Sequence, residues 1–67
     1  MKLYLFITEG DVEPQIQGPF KSEAQRSVAA KAHKRENGDN DGIFMLDVDS
    51  QGVPTTYSYS NGFFEED

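Results

Sequence analysis

From Lys2 to Thr8 the apolar residues occupy both phases of a two-residue period. Leu3, Leu5 and Ile7 fall on one phase, and Tyr4 and Phe6 with Thr8 on the other. Successive side chains of a strand point to opposite faces, so residues 2–8 predict a strand that is apolar on both, as a central strand is. Glu9-Gly10-Asp11 reads as a turn. Residues 12–17 then alternate Val12, Pro14 and Ile16 against Glu13, Gln15 and Gln17, which predicts a half-buried strand. Pro14 has no N–H for a ladder and places that strand at an edge.

The period changes between Gly18 and Gly38. Ser22 is a helix N-cap with Gln25 three residues on, the spacing of a capping box. Pro19 bars an earlier start, and Glu23 places an acid where the helix dipole favours it. The body, from Ala24 to Arg35, contains alanines and neither proline nor glycine. Lys31, His33, Lys34 and Arg35 crowd the last turn, and Asn37-Gly38 supplies a left-handed stop. Ala24, Val28, Ala29 and Ala32 are spaced for one helix face. That stripe is narrow and made of small residues, so the sheet is expected to carry most of the hydrophobic burial.

Residues 43–49 return to a strand pattern, with Phe44, Leu46 and Val48 on one face and Ile43, Met45, Asp47 and Asp49 on the other. Ser50-Gln51-Gly52 is a hairpin turn. Residues 53–60 alternate Val53, Thr55, Tyr57 and Tyr59 against Thr56 and Ser58, and Pro54 marks a second edge. Asn61-Gly62 is a further turn before the tail, residues 63–67. The order is β-β-α-β-β. With the two prolines at the edges, the prediction is an α+β fold: a four-stranded antiparallel sheet in the order 2-1-3-4, one helix on one face, and a single domain over residues 1–67. One helix covers one face. The other, apolar in the first and third strands, needs a cover: the tail, a second copy or a partner protein.

Composition narrows the function classes. The chain has 67 residues and no cysteine, which excludes disulfides and thiolate metal sites. No apolar run has the length to span a membrane, and the first residues lack the pattern of a signal peptide, so a cytoplasmic location is expected. Net charge is −6. Residues 22–36 hold Arg26, Lys31, Lys34 and Arg35 against Glu23 and Glu36, while Lys2 and Lys21 are the only cations elsewhere. A mildly basic helix therefore rides on a strongly acidic body. Such a surface disfavours direct nucleic-acid binding, and suits either solubility or a basic partner.

Candidate chemistry is sparse. Asn37-Gly-Asp39-Asn-Asp41-Gly42 has the oxygen side chains and glycine of the first half of a calcium loop, but Val48 stands where the bidentate glutamate belongs. Asp47-Val-Asp49-Ser-Gln-Gly52 is a weaker echo. Both also suit a loop and a hairpin turn. His33 is the only histidine, and is expected to be a partly exposed residue near a helix end. Asp47 and Asp49 share a strand face, yet no nucleophile–base pair or phosphate-binding loop accompanies them, so neither an enzyme nor a cofactor is expected. The tail places Tyr57, Tyr59, Phe63 and Phe64 beside Glu65, Glu66 and Asp67, the composition of a hot spot for a basic protein. The competing reading makes those rings part of the chain's own core.

Two resemblances add to this. Gly18-Pro19-Phe20 followed by Ser22-Glu23-Ala24 resembles the strand-to-helix corner of SPOR peptidoglycan-binding domains, which implies an anchored envelope protein. Over most of the chain, the Gln15-Ile16-Gln17 strand, the Ser22-Glu23-Ala24 helix start, the Gly42 to Asp49 strand and the aromatic final hairpin are similar in order and length to small anti-CRISPR proteins of phages. One group of these, active against type I-F complexes, is a single helix on an antiparallel sheet. The resemblance implies an inhibitor that binds a basic, nucleic-acid-handling effector and competes with nucleic acid. The expected partner surface comes from the composition of the chain and not from the resemblance: Tyr57, Tyr59, Phe63, Phe64, Glu65, Glu66 and Asp67 with Asp47 and Asp49. The alternatives are a homodimer through the open sheet face, with a structural or housekeeping role, and a weak calcium-binding domain.

Overall fold

The computed structural model describes residues 1–38, 41–60 and 62–65. The elements are β1 (Lys2–Glu9), β2 (Val12–Phe20), α1 (Glu23–Asn37), β3 (Asp41–Val48), β4 (Pro54–Ser58) and a final 3-10 turn, Phe63–Glu65. They form an α+β fold: one four-stranded sheet in the order β2-β1-β3-β4, all neighbours antiparallel, with α1 across one face. Pro14 and Pro54 lie on the edge strands, and β1 is central.

β1 pairs with β3 without interruption from Lys2↔Val48 to Glu9↔Asp41. The ladder between β1 and β2 is broken twice. Leu3↔Phe20 is followed by Leu5↔Gln17, and Ile7↔Gln15 by Glu9↔Val12, so β2 carries an extra residue at each place. The first bulge contains Gly18, whose φ of 126° lies outside what an L side chain readily adopts. A Cβ there would stand 2.9 Å from the Leu3 carbonyl oxygen. These bulges carry β2 on to Phe20, three residues beyond the regular alternation of residues 12–17.

The helix boundaries follow from their caps. Ser22 Oγ accepts a hydrogen bond from the Gln25 amide at 3.2 Å. Gln25 Oε1 in turn accepts from the Lys21 amide at 3.2 Å, one residue earlier than in the usual capping box. At the other end Gly38, at φ 81°, donates its amide to the Lys34 carbonyl.

The core lies between helix and sheet. Leu5, Ile7 and Ala30 are fully buried and Ile43 nearly so, with Phe20, Ala29, Tyr59, Phe63 and Phe64 packed around them. The helix faces inward along Arg26, Ala30 and His33. This corrects the stripe read from the alanines: Ala24 is exposed, and Val28 is 69% exposed. Val28 sits about half a turn from Arg26 and faces solvent. His33, expected to be partly exposed, is buried, and Asn37 Nδ2 donates to its carbonyl at 3.0 Å.

Candidate functional site

The candidate residues fall on two surfaces, one on each side of the sheet. On the helix side, Arg26 reaches from α1 to the sheet. Its Nη1 donates to Asp47 Oδ1 at 2.5 Å and lies 3.4 Å from the Tyr4 carbonyl oxygen. Beside this pair the final segment folds back over the helix. The Tyr59 ring stacks on Phe63 with centroids 4.2 Å apart, and Phe64 meets both edge-on, at 5.3 Å from Tyr59 and 4.8 Å from Phe63. Lys31 Nζ stands 4.7 Å from the centroid of Phe63, and Lys34 Nζ 5.2 Å from that of Phe64. Both are cation–π contacts. Burial pushes the Tyr59 hydroxyl above its ordinary pKa, and that oxygen has no hydrogen-bond partner among the described residues.

The structure thus separates the residues that the sequence groups into one surface. Tyr59, Phe63 and Phe64 pack against the core, while Tyr57, on β4, is 49% exposed. Asp47 turns inward to Arg26. Asp49 sits beyond the end of β3 in the hairpin turn, where its Oδ1 accepts from the Val53 amide at 3.0 Å and the Gln51 amide at 2.8 Å. Those two bonds, with Val53 first, hold its carboxyl below the usual carboxylate range. The two aspartates therefore have separate partners, Asp47 the Arg26 guanidinium and Asp49 the turn amides. Glu66 and Asp67 lie outside the described residues, as do Asp39 and Asn40 of the calcium-like loop. Among the described residues no group of three His, Asp or Glu side chains is gathered for a metal ion.

The opposite face of the sheet is the open one. Registry places Tyr4 beside Leu46, and Phe6 between Ile16 and Phe44, with Val48 and Thr56 flanking. The Phe6 and Phe44 ring centroids are 6.5 Å apart. Tyr4, Phe6, Phe44, Leu46 and Val48 are all half-buried by their sheet neighbours, and Ile16 is 57% exposed. The described tail packs on the helix side, so the first of the three expected covers is not used by residues 62–65. Gly42 leaves room for the Phe44 ring and Thr8: a Cβ would stand 3.2 Å from Phe44 Cε2 and 2.6 Å from Thr8 Oγ1.

The charges sort in the same way. Of the four helix cations, Arg26 is spent on Asp47, and Lys31 and Lys34 lie over rings, leaving Arg35 exposed. Asp11, Glu13, Glu23, Glu36 and Asp49 are exposed acids. Lys2 and Lys21 are exposed as well, so the exposed described residues hold five acids against three bases. No helix of the described residues is long and apolar enough to cross a membrane. No family model, curated protein or solved structure matches the chain.

Proposed function

We propose that this chain is a non-enzymatic protein–protein interaction module that docks through the open face of its sheet. In its most concrete form it is an inhibitor of the anti-CRISPR type, made by a phage or mobile element. It engages a basic, nucleic-acid-handling protein and excludes nucleic acid from it. The observation that carries this reading is the contiguous apolar patch of Tyr4, Phe6, Ile16, Phe44 and Leu46, on a chain whose net charge is −6. Apolar anchors supply affinity, and the surrounding acids supply steering toward a cationic surface and competition with phosphates. Phe63 and Phe64 serve the module by stiffening it, and the acids at Glu65, Glu66 and Asp67 extend its negative field.

The test is capture of a partner from host lysate by tagged protein, at low and high salt, beside two variants. Ile16→Lys interrupts the patch, and Glu65→Lys with Glu66→Lys reverses charge in the tail. A nucleic-acid-binding partner that is lost at high salt and with either variant supports the proposal. A complex indifferent to salt and to both variants sinks it.

A further inference from the structure

The two edges of the sheet differ. β2 is blunted by Pro14, Pro19 and two bulges, which are the usual obstacles to pairing with another strand. β4 has none of these along its length beyond its first residue. It pairs with β3 in unbroken register from Val48↔Pro54 to Phe44↔Ser58, and all five of its residues are exposed.

The phase of the ladder fixes which backbone groups face out. The Asp49 amide donates to the Val53 carbonyl at 3.1 Å, which sets that pair in the hydrogen-bonded phase. Alternation then turns the backbone groups of Thr55 and Tyr57 toward β3, and those of Thr56 and Ser58 toward the free edge. Pro54 falls on the outward phase, where its missing N–H costs the sheet nothing.

Charge identifies the occupant. Residues 53–60, VPTTYSYS, contain no acid and no base, in a chain of net charge −6. An edge suited to a cationic peptide would carry acids. An edge suited to a second copy must carry no like charges, because a two-fold axis sets each residue near its own equivalent. We propose that β4 is the docking edge for a second copy of this chain, pairing antiparallel about Thr56, which faces its own equivalent. The two sheets then join into one of eight strands, and two open faces become continuous. Five residues of strand bury little area, so the dimer is weak beside the ~1,000 Å² expected of a stable interface. This inference does not depend on the identity of the partner proposed above.

Sedimentation from about 10 μM to about 1 mM, which brackets a weak association of roughly −4 to −7 kcal/mol, tests it together with amide exchange. The expected result is a reversible monomer–dimer equilibrium, tightened by salt because two molecules of like charge repel. Exchange protection should rise with concentration at the Thr56 and Ser58 amides. Thr56→Pro removes an outward N–H, and Thr56→Lys places like charges together. Each should weaken the dimer about tenfold or more, an edge contact being worth about 1.4 kcal/mol or more, with the monomer's melting curve retained. Should Thr56→Pro fail to fold, Thr56→Lys carries the test. Ile16→Lys, which disrupts the open face, should leave the dimer intact while abolishing partner capture. A monomer at every concentration overturns the inference. So does a dimer that survives the folded Thr56 variants, or one that Ile16→Lys dissolves.

Discussion

Arg26 and Asp47 meet across the helix–sheet boundary with unequal exposure: the arginine side chain is 3% accessible and the aspartate 19%. The arginine is thus committed to its partner, while the aspartate retains some water. Asp47→Ala leaves a buried guanidinium whose remaining hydrogen-bond partner among the described residues is the Tyr4 carbonyl, at 3.4 Å. The expected loss is about 3 kcal/mol, the lower end for breaking a buried pair. That is a large share of the roughly 3–10 kcal/mol expected for a domain this size. Arg26→Met combined with Asp47→Leu should recover most of it. Urea denaturation of the single and double variants checks both values.

Two groups shape opposite ends of the stability–pH profile. The Asp49 carboxyl is held low by the Val53 and Gln51 amides, so its contribution is present above the unfolded value of about 3.9 and is lost as pH falls through the folded one. Tyr59 is shifted upward by burial. Its contribution is present below about pH 10 and is lost as pH rises further. Asp49→Asn should flatten the acid limb of a melting-temperature profile, and Tyr59→Phe the alkaline limb. An unchanged limb in either variant contradicts the assigned contact.

Gly18→Ala is expected to destabilise by about 1–3 kcal/mol, since the added carbon meets backbone that cannot rotate away. Gly10→Ala, also at positive φ but with nothing within 4 Å of the new carbon, should cost less. The difference in their denaturation midpoints measures the crowding at Gly18 together with the greater strain of its φ of 126° against 53° at Gly10.

Phe63→Ala distinguishes a core ring from a docking ring. Removing it unstacks Tyr59 and takes the lid from part of the core, for an expected loss of about 2 kcal/mol, below the range for a fully buried phenylalanine. Tyr59 should then titrate closer to its ordinary value. Intact stability with lost partner binding would make Phe63 an anchor instead.

The sheet is legible in the sequence because its signals are local. Pro14 and Pro54 cannot serve in a central ladder, and the doubly apolar β1 has to lie between neighbours. The helix ends are legible for the same reason, through Ser22 and Gly38. The rotation of α1 is not. With alanine as its main apolar residue the helix has little preference for one face, so long-range contacts decide. Arg26 finds Asp47, and the helix turns Val28 outward to allow it. The tail depends on tertiary structure as well. Phe63 and Phe64 read equally as core or as anchor in the sequence, and the structure sets them against Lys31 and Lys34 and packs Tyr59 on both. The helical spacing of Arg26 with Ala30 at i+4 and His33 at i+7 is the one signal that points to Arg26, and it is too common to act on alone.

The two bulges of β2 have a further consequence. A sheet with two receptive edges adds copies without limit and grows into a filament. Here strand addition has a terminus built in: once β4 is occupied, every edge left facing water is a kinked, proline-bearing β2. Recruitment by main-chain pairing of the kind proposed for β4 therefore stops at a finite particle, with one backbone contact per chain.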